Sequence, residues 1–189
     1  MGRKLVGSVL VALVGMSVGG CQNEAPVEVP AQRVENPELG IAIVALPAPF
    51  QVAVNEGSTL ELVAGEGRLS IIAGEAQVAG VNLVQAVWDH KASILERPQG
   101  EYKGQQELGT HLGTAFYSRG RYQGDAGVVE ETVILVIHPW GDRRLDLRFR
   151  YPATDDSQER IGKQLFAVLE ALEGVAQPAV RVDEPAPPA

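Results

Sequence analysis

The chain has 189 residues, 21% of them charged, and a formal net charge of -8; so acidic a surface repels phosphate backbones and argues against a nucleic-acid partner. Its single cysteine excludes an intramolecular disulfide. The three histidines, His90, His111 and His138, are scattered without paired spacing, so no metal and no cofactor is expected. With the two ends set aside, about 135 residues remain, enough for one domain that buries roughly two-thirds of its unfolded surface without a staple.

Residues 1–20 read as a targeting segment. Arg3 and Lys4 open it, and the apolar run from Leu5 to Val18 is short for a membrane span of roughly 20 residues and rich in small residues at its end. Val18-Gly19-Gly20-Cys21 resembles the lipobox of bacterial lipoproteins, with Val and Gly where Leu and Ala or Ser are commoner. The resemblance implies cleavage before Cys21, diacylglycerol on its sulfur, and palmitate or a similar chain on the new amino terminus. Two or more chains make a stable anchor where one is marginal. An uncleaved anchor helix is the competing reading, and the position of the only cysteine at the cleavage point speaks for lipidation. Gln22 in the next position leans toward the outer membrane, with the protein facing the periplasm of the cell envelope. Residues 21–38 hold Pro26, Pro30 and Pro37 among polar residues and read as an extended, mobile tether.

The folded part is expected over 39–174. Gly40 to Pro47 reads as a strand, followed by Phe50 to Val54 and Thr59 to Val63 around an Asn55-Glu56-Gly57-Ser58 turn. Gly65-Glu66-Gly67 lacks the third glycine of a dinucleotide loop and reads as a plain turn before a strand from Arg68 to Ala73. Val81 to Arg97 reads as a helix capped by Asn82, with Gln85 completing a capping box and Pro98 ending it. Its expected apolar stripe is Val84, Val87, Trp88, Ile94 and Leu95. Tyr102 to Leu108 and His111 to Tyr122 read as strands.

The strongest pattern is a hairpin, Val128 to His138 and Arg143 to Tyr151. In its second strand Leu145, Leu147, Phe149 and Tyr151 alternate with Arg144, Asp146, Arg148 and Arg150. With Gly141 at the turn centre, Ile137, Leu135 and Val133 fall opposite Leu145, Leu147 and Phe149. A second helix is expected from about Asp155 to Glu173. Asp155 and Asp156 sit at its positive end, Glu159 and Lys163 can pair, Ile161, Leu165, Val168, Leu169 and Leu172 form its stripe, and Gly174 caps it. Residues 175–189 form a proline-rich tail.

The lipoprotein signal, the polar tether, Leu46-Pro47, the small-residue strand around Gly113-Thr114-Ala115-Phe116 and the Tyr151-Pro152-Ala153-Thr154-Asp155-Asp156 run before the last helix together resemble DcrB-type envelope lipoproteins, within the PsbP-like superfamily. The resemblance implies an α+β fold, an antiparallel sheet of about six strands flanked by two main helices. It also implies binding or assembly rather than catalysis, with relatives that include chaperones of secretion-system effectors. The tyrosine-rich strand of the photosynthetic members is absent.

Sites of chemistry are sparse. No Gly-x-Ser-x-Gly elbow occurs, and Ser118 beside Arg119 reads as a solvent-facing strand residue. Glu130 and Glu131 are neighbours in a strand and point to opposite faces. Arg119, Arg121, Arg144, Arg148 and Arg150 would share one surface if their strands are close, a possible docking patch for an acidic partner, peptidoglycan or lipid head groups. The simpler reading is a sheet face paired with Glu130 and Asp146. The expected function is non-catalytic binding of a protein or peptide, with an effector-chaperone domain that cradles apolar helices and a hydrolase as alternatives.

Overall fold

The computed structural model describes residues 32–77, 80–153 and 157–176, with the backbone alone over 157–161. The targeting segment, Cys21, most of the tether, Asp155, Asp156, the side chains of Glu159 and Ile161, and residues 177–189 lie outside the described residues.

Among the described residues ten strands and two helices follow one another as β1 (Val34–Asn36), β2 (Ile41–Ile43), β3 (Gln51–Glu56), β4 (Thr59–Ala64), β5 (Gly67–Ala73), α1 (Leu83–Leu95), β6 (Glu101–Thr110), β7 (Gly113–Gly124), β8 (Gly127–Ile137), β9 (Arg144–Pro152), α2 (Ser157–Glu170) and β10 (Leu172–Gly174). The main sheet has seven antiparallel strands in the order β3-β4-β5-β9-β8-β7-β6, and a small sheet has the order β1-β2-β10. The α+β expectation holds, with one strand more in the main sheet than the six expected.

Two boundaries differ from the sequence reading. Val34–Asn36 falls in the stretch whose composition reads as tether, yet it pairs with β2 and buries Val34 and Asn36. Asn36 makes the segment adhere: its Nδ2 donates to Asn55 Oδ1 at 2.9 Å, and its Oδ1 accepts from the Leu39 backbone at 2.8 Å. At the other end α2 stops at Glu170, and Leu172–Gly174 pairs with β2 instead of prolonging the helix. Gly174 therefore lies in a strand and does not cap the helix.

The register of the central hairpin is one residue away from the expected one. Ile137 pairs with Arg144, Ile134 with Leu147 and Thr132 with Phe149. The alternating apolar side of β9 therefore meets Ile134 and Val136, while Val133 and Leu135 share the face of the arginines. The sequence could not decide this, because β8 is buried on both faces from Glu130 to Val136 and either register hides apolar side chains. The loop settles it. His138 N–H donates to Arg143 O at 2.9 Å, and His138 Nε2 lies 2.6 Å from Leu39 O while its Nδ1 accepts from Trp140 N–H at 3.0 Å. With Trp140 donating to Nδ1, the ring proton is on Nε2, and His138 is neutral; burial lowers its pKa, against the hydrogen bond to Leu39. The Trp140 indole lies where a side chain on Gly40 (φ +68) would stand, and its Nε1 donates to Val175 O at 2.9 Å. One loop thereby joins the hairpin to the small sheet at two adjacent points, the start of β2 and the end of β10.

The two faces of the main sheet are covered differently. On one, Leu145, Leu147, Phe149, Tyr151, Ile134 and Val136 pack with Leu60, Leu62, Leu69 and Ile71, under Ile41 and Ile43 of the small sheet and Leu165, Val168 and Leu169 of α2. On the other, Leu83, Ala86 and Val87 of α1 pack on Val133 and Leu135. This second cluster is small, and the rest of the helix contact is Ile94 over Gly120 and a set of polar groups.

Candidate functional site

Beneath the C-terminal half of α1 lies a buried polar cluster centred on Glu131 of β8. The alternation of three adjacent strands builds it. Ser118, Gly120 and Tyr122 of β7, Val133 and Glu131 of β8, and Arg148 and Arg150 of β9 all face α1 in the observed register. Gly120 leaves room overhead, since a Cβ there would stand 2.6 Å from two carbons of Ile94. The helix therefore approaches closely enough for His90, one turn earlier, to enter the cluster.

Four groups converge on the Glu131 carboxylate. Arg150 Nε lies at 2.6 Å, Arg148 Nη1 at 3.3 Å, Tyr122 OH at 3.3 Å and His90 Nε2 at 3.3 Å. The His90 approach is close but its geometry is not that of a well-aligned hydrogen bond. Burial pushes the Glu131 carboxyl up, but the groups on it, His90 and Arg150 foremost and then Arg148, outweigh burial and hold it at about 2. The same Glu131 pulls no proton from Tyr122, whose hydroxyl is raised chiefly by burial and further by that negative charge.

From His90 a chain of hydroxyls runs outward. His90 Nδ1 lies 2.7 Å from Ser118 Oγ, Ser118 Oγ lies 3.0 Å from Tyr102 OH, and Tyr102 OH donates to Gln105 Oε1 at 2.9 Å. Gln105 is at the surface. Glu131, His90 and Ser118 are the components of an acid-imidazole-hydroxyl triad, which in an open cleft would activate a nucleophile. Here Ser118 has 0% exposure and lies beneath α1, and two arginines occupy the acid. What this arrangement does is fix the helix on the sheet with directional contacts.

Three expectations are corrected by this geometry. Ser118 is not a solvent-facing residue but one of the most buried in the chain. Arg148 and Arg150 pair with Glu131 rather than Glu130, because the register places Glu131 on their face. The five arginines do not share one surface: Arg144, Arg148 and Arg150 face α1, whereas Arg119 and Arg121 pair across to Thr132 and Glu130 on the opposite face. Of the two acids expected to pair with this face, Asp146 does so, its Oδ1 2.6 Å from Arg144 Nε, and burial raises its carboxyl despite Arg144 and Arg148. Glu130 and Glu131 do point to opposite faces, and both are buried.

Elsewhere His111 Nε2 lies 2.7 Å from Leu172 O, a structural contact, and no group of metal-ligating side chains occurs among the described residues. No helix among the described residues is long and apolar enough to cross a membrane. The signal for the cluster was present in the sequence: an acid two residues before an apolar run, Val133 to Ile137, on one strand, two strand-spaced arginines on the next, and a lone glycine in Ser118-Arg119-Gly120-Arg121.

No protein-family model and no curated protein sequence matches the chain. Solved structures do. Cyanobacterial PsbP (CyanoP) from Synechocystis superposes with a TM-score of 0.55 at 12% identity over 83% of this chain and 98% of that one. The Ran-binding protein Mog1p of Saccharomyces cerevisiae gives 0.51 at 15% identity over 77% and 95%. LpqN, involved in cell envelope biogenesis of Mycobacterium tuberculosis, gives 0.50 at 12% identity over 79% and 88%. At these identities the likeness is one of fold, a Mog1/PsbP-like sheet with its helices and small sheet.

Proposed function

We propose that this protein is a DcrB-type lipoprotein of the cell envelope, held to a bilayer through acylated Cys21 and facing the periplasm, whose domain binds an envelope protein or peptide without catalysis. The observation that carries the reading is Val18-Gly19-Gly20-Cys21, the chain's only cysteine placed after an apolar run and before a polar, proline-bearing stretch. The fold supports it, since a structure of similar fold belongs to a protein involved in cell envelope biogenesis. The buried Ser118 supports the non-catalytic part, because a nucleophile without access to substrate has nothing to attack.

Metabolic labelling with a palmitate analogue is expected to mark the full chain and to leave the Cys21→Ser chain unmarked. Equal labelling of both, or of neither, would remove the anchor. Capture of the intact protein from its native envelope then identifies what it holds. Reversal of Arg148 and Arg150 to Glu is a poor probe of docking, because both hold Glu131 and their loss acts on folding first. Arg119 and Arg121, on the other face, are the arginines of the proposed docking set whose replacement leaves the Glu131 cluster intact.

A further inference from the structure

We propose that the bare part of the main sheet beside α1 binds a peptide segment of a partner protein in which carboxylates stand close to apolar side chains. Arg68, Arg97 and Arg150 take the carboxylates, and Ile72 and Val63 take the apolar side chains. The inference rests on the reading of the domain as a binder of protein or peptide, and it gives that binding a surface and a chemistry. α1 lies over β6, β7 and β8. The same face of the sheet continues past the helix onto β9, β5 and β4. The register there sets Arg150 opposite Arg68, Arg148 opposite Ser70 and Asp146 opposite Ile72, then Arg68 opposite Val63 and Ser70 opposite Glu61. A helix is about 10 Å wide and strands lie about 4.8 Å apart, so one helix covers two or three strands of a sheet of seven. Beyond it the Arg68 side chain is 62% exposed, that of Arg150 45%, and Ile72 46%.

Charge sets this face apart from an ordinary solvated one. Arg68 and Arg150 stand directly opposite each other on adjacent strands. Like charges in that position, with Cβ atoms about 5 Å apart, work against the pairing of the strands. Each guanidinium reaches sideways to one acid, Arg68 Nη1 to Glu61 Oε2 at 2.8 Å and Arg150 Nε to Glu131 Oε2 at 2.6 Å. Glu131 is shared among four groups, so it does not neutralise Arg150 alone. Arg97, just past the end of α1, brings a third cation to the same corner. Its guanidinium carbon lies 5.3 Å from the centre of the Tyr122 ring, and Tyr122 OH rests on the same Glu131 oxygen as Arg150. With Arg148 beside them, four arginines meet here, and the acids in ion-pair contact with them among the described residues are two, Glu61 and Glu131. A carboxylate lodged between Arg68 and Arg150 relieves their repulsion and meets two planar donor forks. The apolar side chains narrow the ligand further. Ile72 points to the same side as Arg68 and lies four residues along β5, about 13 Å away, and Val63 beside Arg68 on β4 is half-buried. Inorganic phosphate uses the cations alone, whereas an extended segment with an acid about four residues from an apolar side chain uses both parts of the face.

The test is selection of a pool of random peptides, about four residues longer than the span from Arg68 to Ile72 requires, on the full chain, with sequencing of the peptides retained. A chain of net charge -8 gathers basic peptides through its overall field, so enrichment of Asp and Glu runs against the background. The expected result is retained peptides in which Asp or Glu accompanies Leu, Ile, Val or Phe. Their retention is expected to fall about tenfold with Arg68→Glu and with Arg97→Glu, and Ile72→Ser is expected to remove the apolar preference. None of these three side chains touches Glu131, so the buried cluster is left in place. Arg33→Glu, beside the small sheet, is expected to retain the same peptides as the unchanged chain. The proposal is overturned if the retained peptides are not enriched in acids, or if their retention is indifferent to Arg68→Glu and Arg97→Glu. It is equally overturned if inorganic phosphate or dihexanoyl phosphatidylglycerol binds the chain and acidic peptides do not, which would make the ligand a phosphate. Retention of no peptide at all would remove the peptide-binding reading as well, whereas retention indifferent to the substitutions would remove this surface alone.

Discussion

Glu131 keeps its charge where a lone carboxylate would surrender it, because polar groups from α1, β7 and β9 meet on its two oxygens. Its folded value of about 2 lies below the ordinary 4.5. A depressed carboxyl contributes stability that is complete above the unfolded value and is lost as pH falls toward the folded one. The window is therefore pH 4.5 down to about 2, and the amount on the order of 3 kcal/mol. Glu131→Gln is expected to cost about 3 kcal/mol at neutral pH by urea unfolding and to flatten the dependence of stability on pH within that window. A variant that keeps the wild-type slope would assign the acid sensitivity to another group. The residue type was visible in the sequence and its role was not. A carboxylate beside an apolar run becomes a buried ion only when the register brings arginines to the same face.

At the scale of elements, α1 shows how a correct helix can be given the wrong face. Its cap is as expected: Asn82 Oδ1 accepts from the Gln85 backbone at 3.0 Å, although the Gln85 side chain turns to Asp89 instead of closing a capping box. The expected apolar stripe holds at Val87 and Ile94, which are buried, and fails at its other three positions. Val84, Trp88 and Leu95 are exposed, and the helix docks through Leu83, Ala86, Val87, His90 and Ile94. Hydrophobicity alone favoured the flank with tryptophan, whereas docking follows the shape of the sheet, where Gly120 admits Ile94. Gly120→Ala is accordingly expected to destabilise by about 1–3 kcal/mol in chemical denaturation, because its Cβ has no space beneath Ile94. Adding Ile94→Ala is expected to cost less than the two changes apart, since the cavity accepts the new methyl group. Simple additivity would place the close approach elsewhere.

For the molecule as a whole, the boundary of the domain depends on a strand that composition assigns to a linker. Val34–Asn36 lies among proline and charged residues, yet it borrows its stability from β2 and from Asn55. A chain begun at residue 39 is expected to lose about 3 kcal/mol against one begun at residue 32, from the burial of Val34 and the hydrogen bonds of Asn36. Equal thermal unfolding of the two would return the segment to the tether. The sequence by itself determined the strands with strong alternation, the cap of α1 and the opposed directions of Glu130 and Glu131, because each follows from contacts within a few residues or from the period of two; the α+β class was what the family resemblance implied. Only the tertiary structure decided the register of the central hairpin, the docked flank of α1, the burial of Ser118 and the partner of Arg148 and Arg150. Those depend on which of two equally apolar faces meets which neighbour, and that choice is made by loop hydrogen bonds and by space at single glycines.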